Sequence, residues 1–269
     1  CNVYISEGRD KALIGKLEAA AQATPGVALV NVFQDEPYHR TGFTLVSGQP
    51  DRLTEAVVRL SRAALQLLDL RRHDASHPRL GVVDHIALHP LGGLAPAAAT
   101  HSRGVATTVA GGQEEEVPAL PVYFYGHAHP SRRGLADIRR KLGYFRRSPE
   151  GGWRGGLEQQ QLPAGNDLSA FPPDLGPATA SARWGVVTIG ATPWVGNYNV
   201  PLSGVDMATA RKLAKAISER GGGLPGVQAM ALQHADGLVE VACNLLDAAA
   251  APPGTLQARL EGIAGAWGL

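Results

Sequence analysis

Residues 41–67 read TGFTLVSGQPDRLTEAVVRLSRAALQL, and the apolar period changes part-way along. Residues 41–47 form a short run with Phe43, Leu45 and Val46, which predicts a β-strand. Gly48-Gln49-Pro50-Asp51 then marks a helix start, with Asp51 expected as its cap. Leu53, Val57, Leu60, Ala64 and Leu67 follow at steps of three and four, the period of a helix with one apolar face. Upstream, Val3-Tyr4-Ile5 predicts a strand closed by Ser6-Glu7-Gly8, and residues 9–23 a helix with Leu13, Leu17, Ala20 and Ala21 on one face. Thr24-Pro25-Gly26 stops that helix, and residues 27–33 read as a buried strand. Downstream, a polar stretch at residues 71–79 leads into GVVDHIAL at residues 81–88, a fourth strand. The order strand, helix, strand, strand, helix, strand is the split βαβ pattern of a ferredoxin-like α+β sheet with its helices on one face.

The middle of the chain is less regular. Residues 90–112, rich in Ala, Gly and Thr, predict a weak helix, and LPVYFY at residues 120–125 a strand. Residues 131–147 are basic and partly helical in pattern, and residues 148–177 read as a Gly-, Pro- and Gln-rich surface excursion or linker. A second series begins near Trp194. Strands are expected at 195–200, 226–232 and 238–246, the last two around the Ala235-Asp236-Gly237 turn, with helices at 206–220 and 255–267. The two halves share element order rather than residues. We therefore expect two ferredoxin-like subdomains, residues 1–180 and 181–269, the second shortened by one strand.

The 269 residues carry a net charge of +1, with 44% hydrophobic and 18% charged residues, a globular composition. That balance argues against a general nucleic-acid or membrane-surface binder, and no apolar run reaches the roughly 20 residues that span a bilayer. Cys1 and Cys243 are too few for a disulfide framework or a cysteine-built metal site. The chain opens at Cys1 rather than at a methionine, and the expected compartment is cytoplasmic or organellar.

Chemistry concentrates in Arg71-Arg72-His73-Asp74-Ala75-Ser76-His77-Pro78-Arg79. Pro78 keeps His77 out of helical geometry, in a turn where a scaffold presents reactive groups. An imidazole can take and give a proton within one turnover, Asp74 is placed to orient it, and Arg79 suits a bidentate anion. A solvated polar connection is the alternative. The pairs His73/His77 and His85/His89 have metal-like spacing, but Pro78 breaks one, and along a strand the other spans about 13 Å. No metal site is expected. The sequence carries no phosphate loop, nucleophile elbow or dinucleotide fingerprint. The stretch with Arg132, Arg133, Arg139, Arg140, Lys141, Arg146 and Arg147 around Tyr144 and Phe145 suits single-stranded nucleic acid, an anionic small molecule, or a solvated surface.

These residues resemble the glutamate formiminotransferase family. Residues 1–8 (CNVYISEG) are similar to its opening Cys-Val-Pro-Asn-Phe-Ser-Glu-Gly, and His39-Arg40-Thr41 to its Asn-Arg-Thr. Residues 72–81 (RHDASHPRLG) match R-H-x-x-x-H-P-R-M/L-G, the most specific element. Residues 121–126 (PVYFYG) and 173–177 (PDLGP), Gly190-Ala191, Tyr198-Asn199-Val200 and residues 244–247 (NLLD) follow in order. The resemblance implies tetrahydrofolate as co-substrate and a glutamate derivative bound in a groove between two subdomains, without a metal. It implies transfer of a formimino group, or in some members formyl, between glutamate and N5 of tetrahydrofolate. It makes His77 the acid/base. Ser6, Glu7, His39, Arg40, Thr41, Arg79, Gly190 and Asn199 become substrate-binding positions, and Tyr125, Gly126 and Asn244 folate-binding ones. Tyr4, His39 and Pro201 depart from the family pattern, so the alternative is a catalytically impaired folate-binding or structural subunit of a larger assembly.

A split βαβ unit short of one strand leaves a sheet edge with unpaired N–H and C=O groups, which invites another chain. A homo-oligomer or a subunit of a larger complex is expected, and light scattering on the eluting protein should give a mass above that of one chain. A well-behaved monomer would remove the partner.

Overall fold

The computed structural model describes residues 1–91, 95–110, 119–145, 153–154, 166–234 and 237–269. They form two compact units, Cys1–Thr192 and Pro193–Leu269.

The first unit contains β1 (Asn2–Ile5), α1 (Lys11–Gln22), β2 (Ala28–Asp35), β3 (Arg40–Val46), α2 (Pro50–Leu67), β4 (Asp74–Ala75), β5 (Val83–Leu88), α3 (Ala95–Ala110), β6 (Val122–Gly126), α4 (Leu135–Lys141), β7 (Trp153–Arg154) and β8 (Val187–Ala191). Six strands make one sheet in the order β2-β3-β1-β5-β8-β6. Its first four strands run antiparallel to their neighbours, in the arrangement that the split βαβ pattern requires. β8 and β6 extend it in parallel from β5.

Each helix forms for a local reason. The Asp10 carboxylate caps α1, accepting from Ala12 N at 2.9 Å and Leu13 N at 3.0 Å. Leu17 and Ala21 of α1 and Val57, Leu60 and Ala64 of α2, all in the expected stripes, join Ile14 and Leu65 in packing against Val3, Ile5, Phe43, Leu45, Ile86 and Ile189 of the sheet, while Leu67, expected on that face, is 39% exposed. Val105, Ala106 and Val109 of α3 join the same core. The opposite face carries a second cluster built by Tyr123, Tyr125, Ile138, Leu142, Tyr144 and Leu168.

Several expectations are corrected. The cap of α2 is Gln49 rather than Asp51, which lies in the first turn, where its carboxylate favours the positive helix end. Residues 27–33 are not a buried strand: β2 is an edge with one neighbour, and Val30 (57% exposed) and Phe33 (48%) face outward. β8 was not anticipated. All five of its residues are buried and it lies between β5 and β6, within the unit Cys1–Thr192. The end of the expected linker belongs to this unit too. Leu175 accepts from Val122 N at 2.9 Å, and Leu168 is buried. Residues 148–152 and 155–165 of that linker, Arg146 and Arg147, and Ala235-Asp236 of the expected turn lie outside the described residues.

The second unit contains β9 (Gly196–Leu202), α5 (Met207–Ile217), β10 (Val227–Gln233), β11 (Val239–Leu245) and α6 (Pro253–Ala266). Its three strands are antiparallel in the order β10-β11-β9. Asp206 caps α5 by accepting from Thr209 N at 2.7 Å. Ala210, Leu213, Ala214 and Ile217, with Leu256 and Leu260 of α6, pack with Val200, Val227, Val241, Cys243 and Leu245. Among the described residues β9 and β10 each have one strand neighbour.

Gly190 shows how tightly the parallel part of the sheet is fitted. A Cβ there would lie 2.3 Å from the Tyr125 ring. Gly190→Ala should therefore lower unfolding free energy by about 1–3 kcal/mol, and less in a Tyr125→Ala background. Urea titration of the four proteins checks this, and equal stability of Gly190→Ala and the parent would refute the packing.

Candidate functional site

The polar cluster after α2 is held by its own backbone and by its neighbours. Asp69 caps a 3-10 turn, Leu70–Arg72, by accepting from Arg71 N. Trp184 Nε1 donates to the Leu65 carbonyl at 2.7 Å, Leu70 N to the Arg183 carbonyl at 2.8 Å, and Val186 N to the Leu80 carbonyl at 3.0 Å. These bonds fix both ends of the segment that carries His77. Tyr4, Ser6, Tyr38, His39, Arg40, His77, Arg79 and Asp84 then line one cleft.

His77 is only 7% exposed, rather than partly open as the turn suggested. Its Nδ1 lies 2.7 Å from the Pro78 carbonyl, which can only accept, so Nδ1 carries the proton. Nε2 is then a lone pair, and it accepts from Arg40 Nη1 at 3.0 Å. Burial, followed by the Arg40 charge, pushes the imidazole well below its ordinary range. The ring of Tyr38 packs 5.0 Å from it, and Tyr144 meets it edge-on at 6.2 Å. Asp74 does not orient His77: it is exposed on β4, and its carbonyl faces His39 Nδ1 at 3.1 Å. The Pro78 carbonyl takes the orienting role.

The guanidinium of Arg40 lies 5.2 Å from the centre of the Tyr4 ring and 5.5 Å from that of Tyr38. Arg79 turns inward, its Nη2 donating to the His73 carbonyl. His39, with φ 49°, stacks on His73 at 4.0 Å and 8°. Its Nε2 lies 3.1 Å from Glu7 Oε1, so both of its nitrogens face acceptors. Burial pushes the Glu7 carboxyl up, but donation from His39, Asp10 N and Arg9 N outweighs it and brings the group down to about 2. His73 Nε2 donates to the His39 carbonyl at 2.8 Å, and burial with the Arg79 charge lowers this imidazole to about 2. Ser6 and Thr41 are spent inside the frame: Ser6 Oγ donates to the Gly81 carbonyl at 2.7 Å, and Thr41 Oγ1 to the Glu7 carbonyl at 2.6 Å.

Beneath the cleft lies a pair that the sequence did not single out. Asp84 Oδ1 accepts from Leu80 N at 2.6 Å, and Oδ2 from Arg139 Nη2 at 2.8 Å. Burial raises this carboxyl, and Arg139 beside it more than offsets that, holding it well below the carboxylate range. Arg139 also lies 4.3 Å over the Tyr144 ring, and His85 stacks on Tyr4 at 4.4 Å. Burial lowers His85 to about 4, with Asp84 opposing that and Arg139 adding to it. Tyr38 and Asp84 had no recognisable sequence signal, being single polar residues in turn and strand. Arg139 sat within a basic stretch, of which four described cations are engaged in the fold. Arg133 pairs with Asp174, Arg140 with Asp137, and Lys141 lies over Phe171.

The match to known proteins follows this geometry. Residues 1–192 fit the family model described as the formiminotransferase domain, N-terminal subdomain. The chain belongs to the formiminotransferase family. It is 43% identical over 252 residues to the formiminotransferase cyclodeaminase-like protein of Arabidopsis thaliana, covering 92% of this chain and 81% of that one. It is 28% identical over 251 residues to the glutamate formimidoyltransferase of Streptococcus pyogenes, covering 92% and 77%. Against the formimidoyltransferase-cyclodeaminase of Rattus norvegicus the identity is 30% over 257 residues, but the chain spans only 43% of that protein's length.

In this chain of the family Tyr125, Gly126 and Gly190 are not among the residues that line the His77 cleft, and Asn199 and Asn244 belong to the second unit. Tyr125 belongs to the second-face cluster and its hydroxyl donates to the Ile86 carbonyl at 3.1 Å. Gly126 has φ 59°, with the Ala191 carbonyl where a Cβ would stand, and Gly190 lies under the Tyr125 ring. Asn199 and Asn244 are on β9 and β11 of the second unit, bonded to Glu240 at 2.9 Å and Asn197 at 2.7 Å. His73 and His77 face different neighbours, and among the described residues no group of three His, Cys, Asp or Glu is placed to hold a metal ion. None of their helices is long and apolar enough to cross a membrane.

The buried neutral imidazoles set an acid limit on stability. His73, His77 and His85 have folded-state values below the unfolded 6.5, so below that pH the unfolded chain takes up protons that the fold refuses. Stability should be complete above pH 6.5 and fall by about 1.4 kcal/mol per pH unit for each such histidine down to about pH 4, before the carboxylates begin to contribute. Urea unfolding at pH 7 and pH 5 measures it, and His85→Phe should make the slope shallower. A flat profile would mean that these rings are protonated in the fold.

Proposed function

We propose that this chain is a folate-dependent transferase that moves a formimino or formyl group between glutamate and N5 of tetrahydrofolate, with His77 as its acid/base. The observation that supports this reading most directly is the tautomer of His77. Its Nδ1–H is fixed on the Pro78 carbonyl, which leaves Nε2 as a lone pair, beside Arg40 in the lining of the cleft. When N5 of the folate attacks the amidine carbon, N5 must lose a proton, and His77 Nε2 takes it. When the bond from that carbon to the glutamate nitrogen breaks, His77 returns the proton to the leaving nitrogen. One group serves both steps, and such proton transfer is worth about 10²–10⁴-fold in rate. Arg40 supplies positive charge in the cleft that suits a carboxylate of a glutamate derivative. The names of the relatives from Streptococcus pyogenes and Rattus norvegicus support the same chemistry.

One observation favours the second reading, a folate-binding or structural relative without turnover. The Nε2 lone pair that the reaction needs is held by Arg40. Titration with tetrahydrofolate and 5-formyltetrahydrofolate, followed by assay with formiminoglutamate, separates the two. For the transferase, His77→Ala should lower turnover at least about a hundredfold while leaving folate affinity within a few-fold. Undiminished turnover in that variant would take the acid/base role from His77.

A further inference from the structure

Two part-buried arginines of the first unit carry their own counter-ions. Arg139 is paired with Asp84 and Arg133 with Asp174. Arg40 is half-buried and, among the described residues, has no carboxylate partner. Its Nε is buried and has no hydrogen-bond partner among them. A guanidinium in this state has lost water without gaining an anion, which leaves it short of its full complement of bonds. Among the described residues its side-chain hydrogen bond goes to the Nε2 lone pair of His77, at 3.0 Å.

That bond has a consequence for proton transfer. While Arg40 Nη1–H points at Nε2, the lone pair accepts no other proton, and a proton placed on Nε2 would face a cationic N–H donor. Nδ1 offers no second route, because it donates to the Pro78 carbonyl. The groups around the ring do not compensate. Tyr38 and Tyr144 present ring carbons, Arg139 is a further cation, and Asp84 is committed to Arg139 and Leu80 N. Arg79 points to the His73 carbonyl, and Glu7 takes His39. Removal of Arg40 from Nε2 is the change that opens His77. The faces of Tyr4 and Tyr38 on which the guanidinium rests allow it to shift while keeping cation–π contact.

We propose that Arg40 is a carboxylate-operated latch on His77: a bound carboxylate draws the guanidinium off Nε2 and frees the lone pair for the reacting proton. A planar guanidinium prefers a two-oxygen partner to a single ring nitrogen, since charge-assisted bidentate bonds are the stronger. Occupancy of the cleft by an anionic substrate thus arms the base, and the unoccupied cleft keeps it capped. The inference rests on the transferase reading for its role but on the Arg40–His77 contact for its evidence. The carboxylate has two sources, the glutamate donor and the glutamyl tail of the folate.

The test follows the His77 ring by NMR titration, assigned with His77→Gln, in wild-type protein and Arg40→Met. Each is titrated alone, with saturating L-glutamate, and with saturating p-aminobenzoylglutamate. In the wild type at least one compound should raise the midpoint by about one pH unit or more, a tenfold change in proton affinity, and the compound that does so identifies the source. Arg40→Met should titrate higher than the wild type when unliganded and should not respond to either compound. A wild-type midpoint unmoved by both compounds at saturation overturns the latch, and so does an unchanged response in Arg40→Met. Should Arg40→Met not fold, the wild-type arms decide alone. Turnover of formiminoglutamate is measured in parallel. Turnover without a ligand-dependent midpoint removes the latch and leaves the transferase, whereas a moving midpoint without turnover does the reverse.

Discussion

A single buried carboxylate organises the cleft. Asp84 lies at the start of β5, where taking a charge out of water costs several kcal/mol unless it is matched. It is matched twice, by the Leu80 backbone N–H and by Arg139. The first bond ties the Pro78-to-Leu80 turn to the sheet and so sets the height of His77. The second ties α4 to the same strand and brings the ring of Tyr144, packed under Arg139, to the edge of His77. Remove the charge and both anchors lose their partner at once. The interior here is thus specified by one electrostatic demand rather than by apolar volume alone.

The sequence made the frame of the first unit legible because its helices and strands carry distinct periods. The Leu53-to-Leu67 stripe could only be a helix face, and the order of elements then left few sheet topologies. β8 stayed hidden because Val187 to Ala191 is a five-residue strand buried on both faces, with no alternation and an unusual glycine inside it. The exposure of β2 was equally unreadable. Val27 to Phe33 is apolar enough for a core strand, and its place at the edge follows from pairing partners far along the chain.

The site shows the same division. His77 was legible because Pro78 fixes its backbone and because its neighbours match a family element. Its partners were not. Arg40 comes from a strand 37 residues away and Arg139 from a helix on the other face of the sheet. Asp74, adjacent in sequence, seemed the natural orienter, yet the pairing of β4 with β7 turns it outward. Sequence proximity ranks candidates by distance along the chain, whereas the imidazole chooses among groups that the sheet brings close. Glu7, Ser6 and Thr41 illustrate the reverse case. They belong to family-like elements, and here they hold the frame through bonds to His39, Gly81 and Glu7 itself.

The irregularity in β2 bears on how the molecule behaves in a crowded solution. Between Leu29 and Asn31 the register against β3 slips by one residue, which leaves Val30 opposite no partner and pointing out. A regular edge offers an evenly spaced ladder that any extended segment can copy; a slipped one does not, because an arriving strand must carry a matching extra residue at the same place. The apolar side chains of Val30 and Phe33 at this border therefore do not make it a template for runaway sheet growth. The defect in the strand works as a quality-control feature, keeping a sticky border from seeding aggregates.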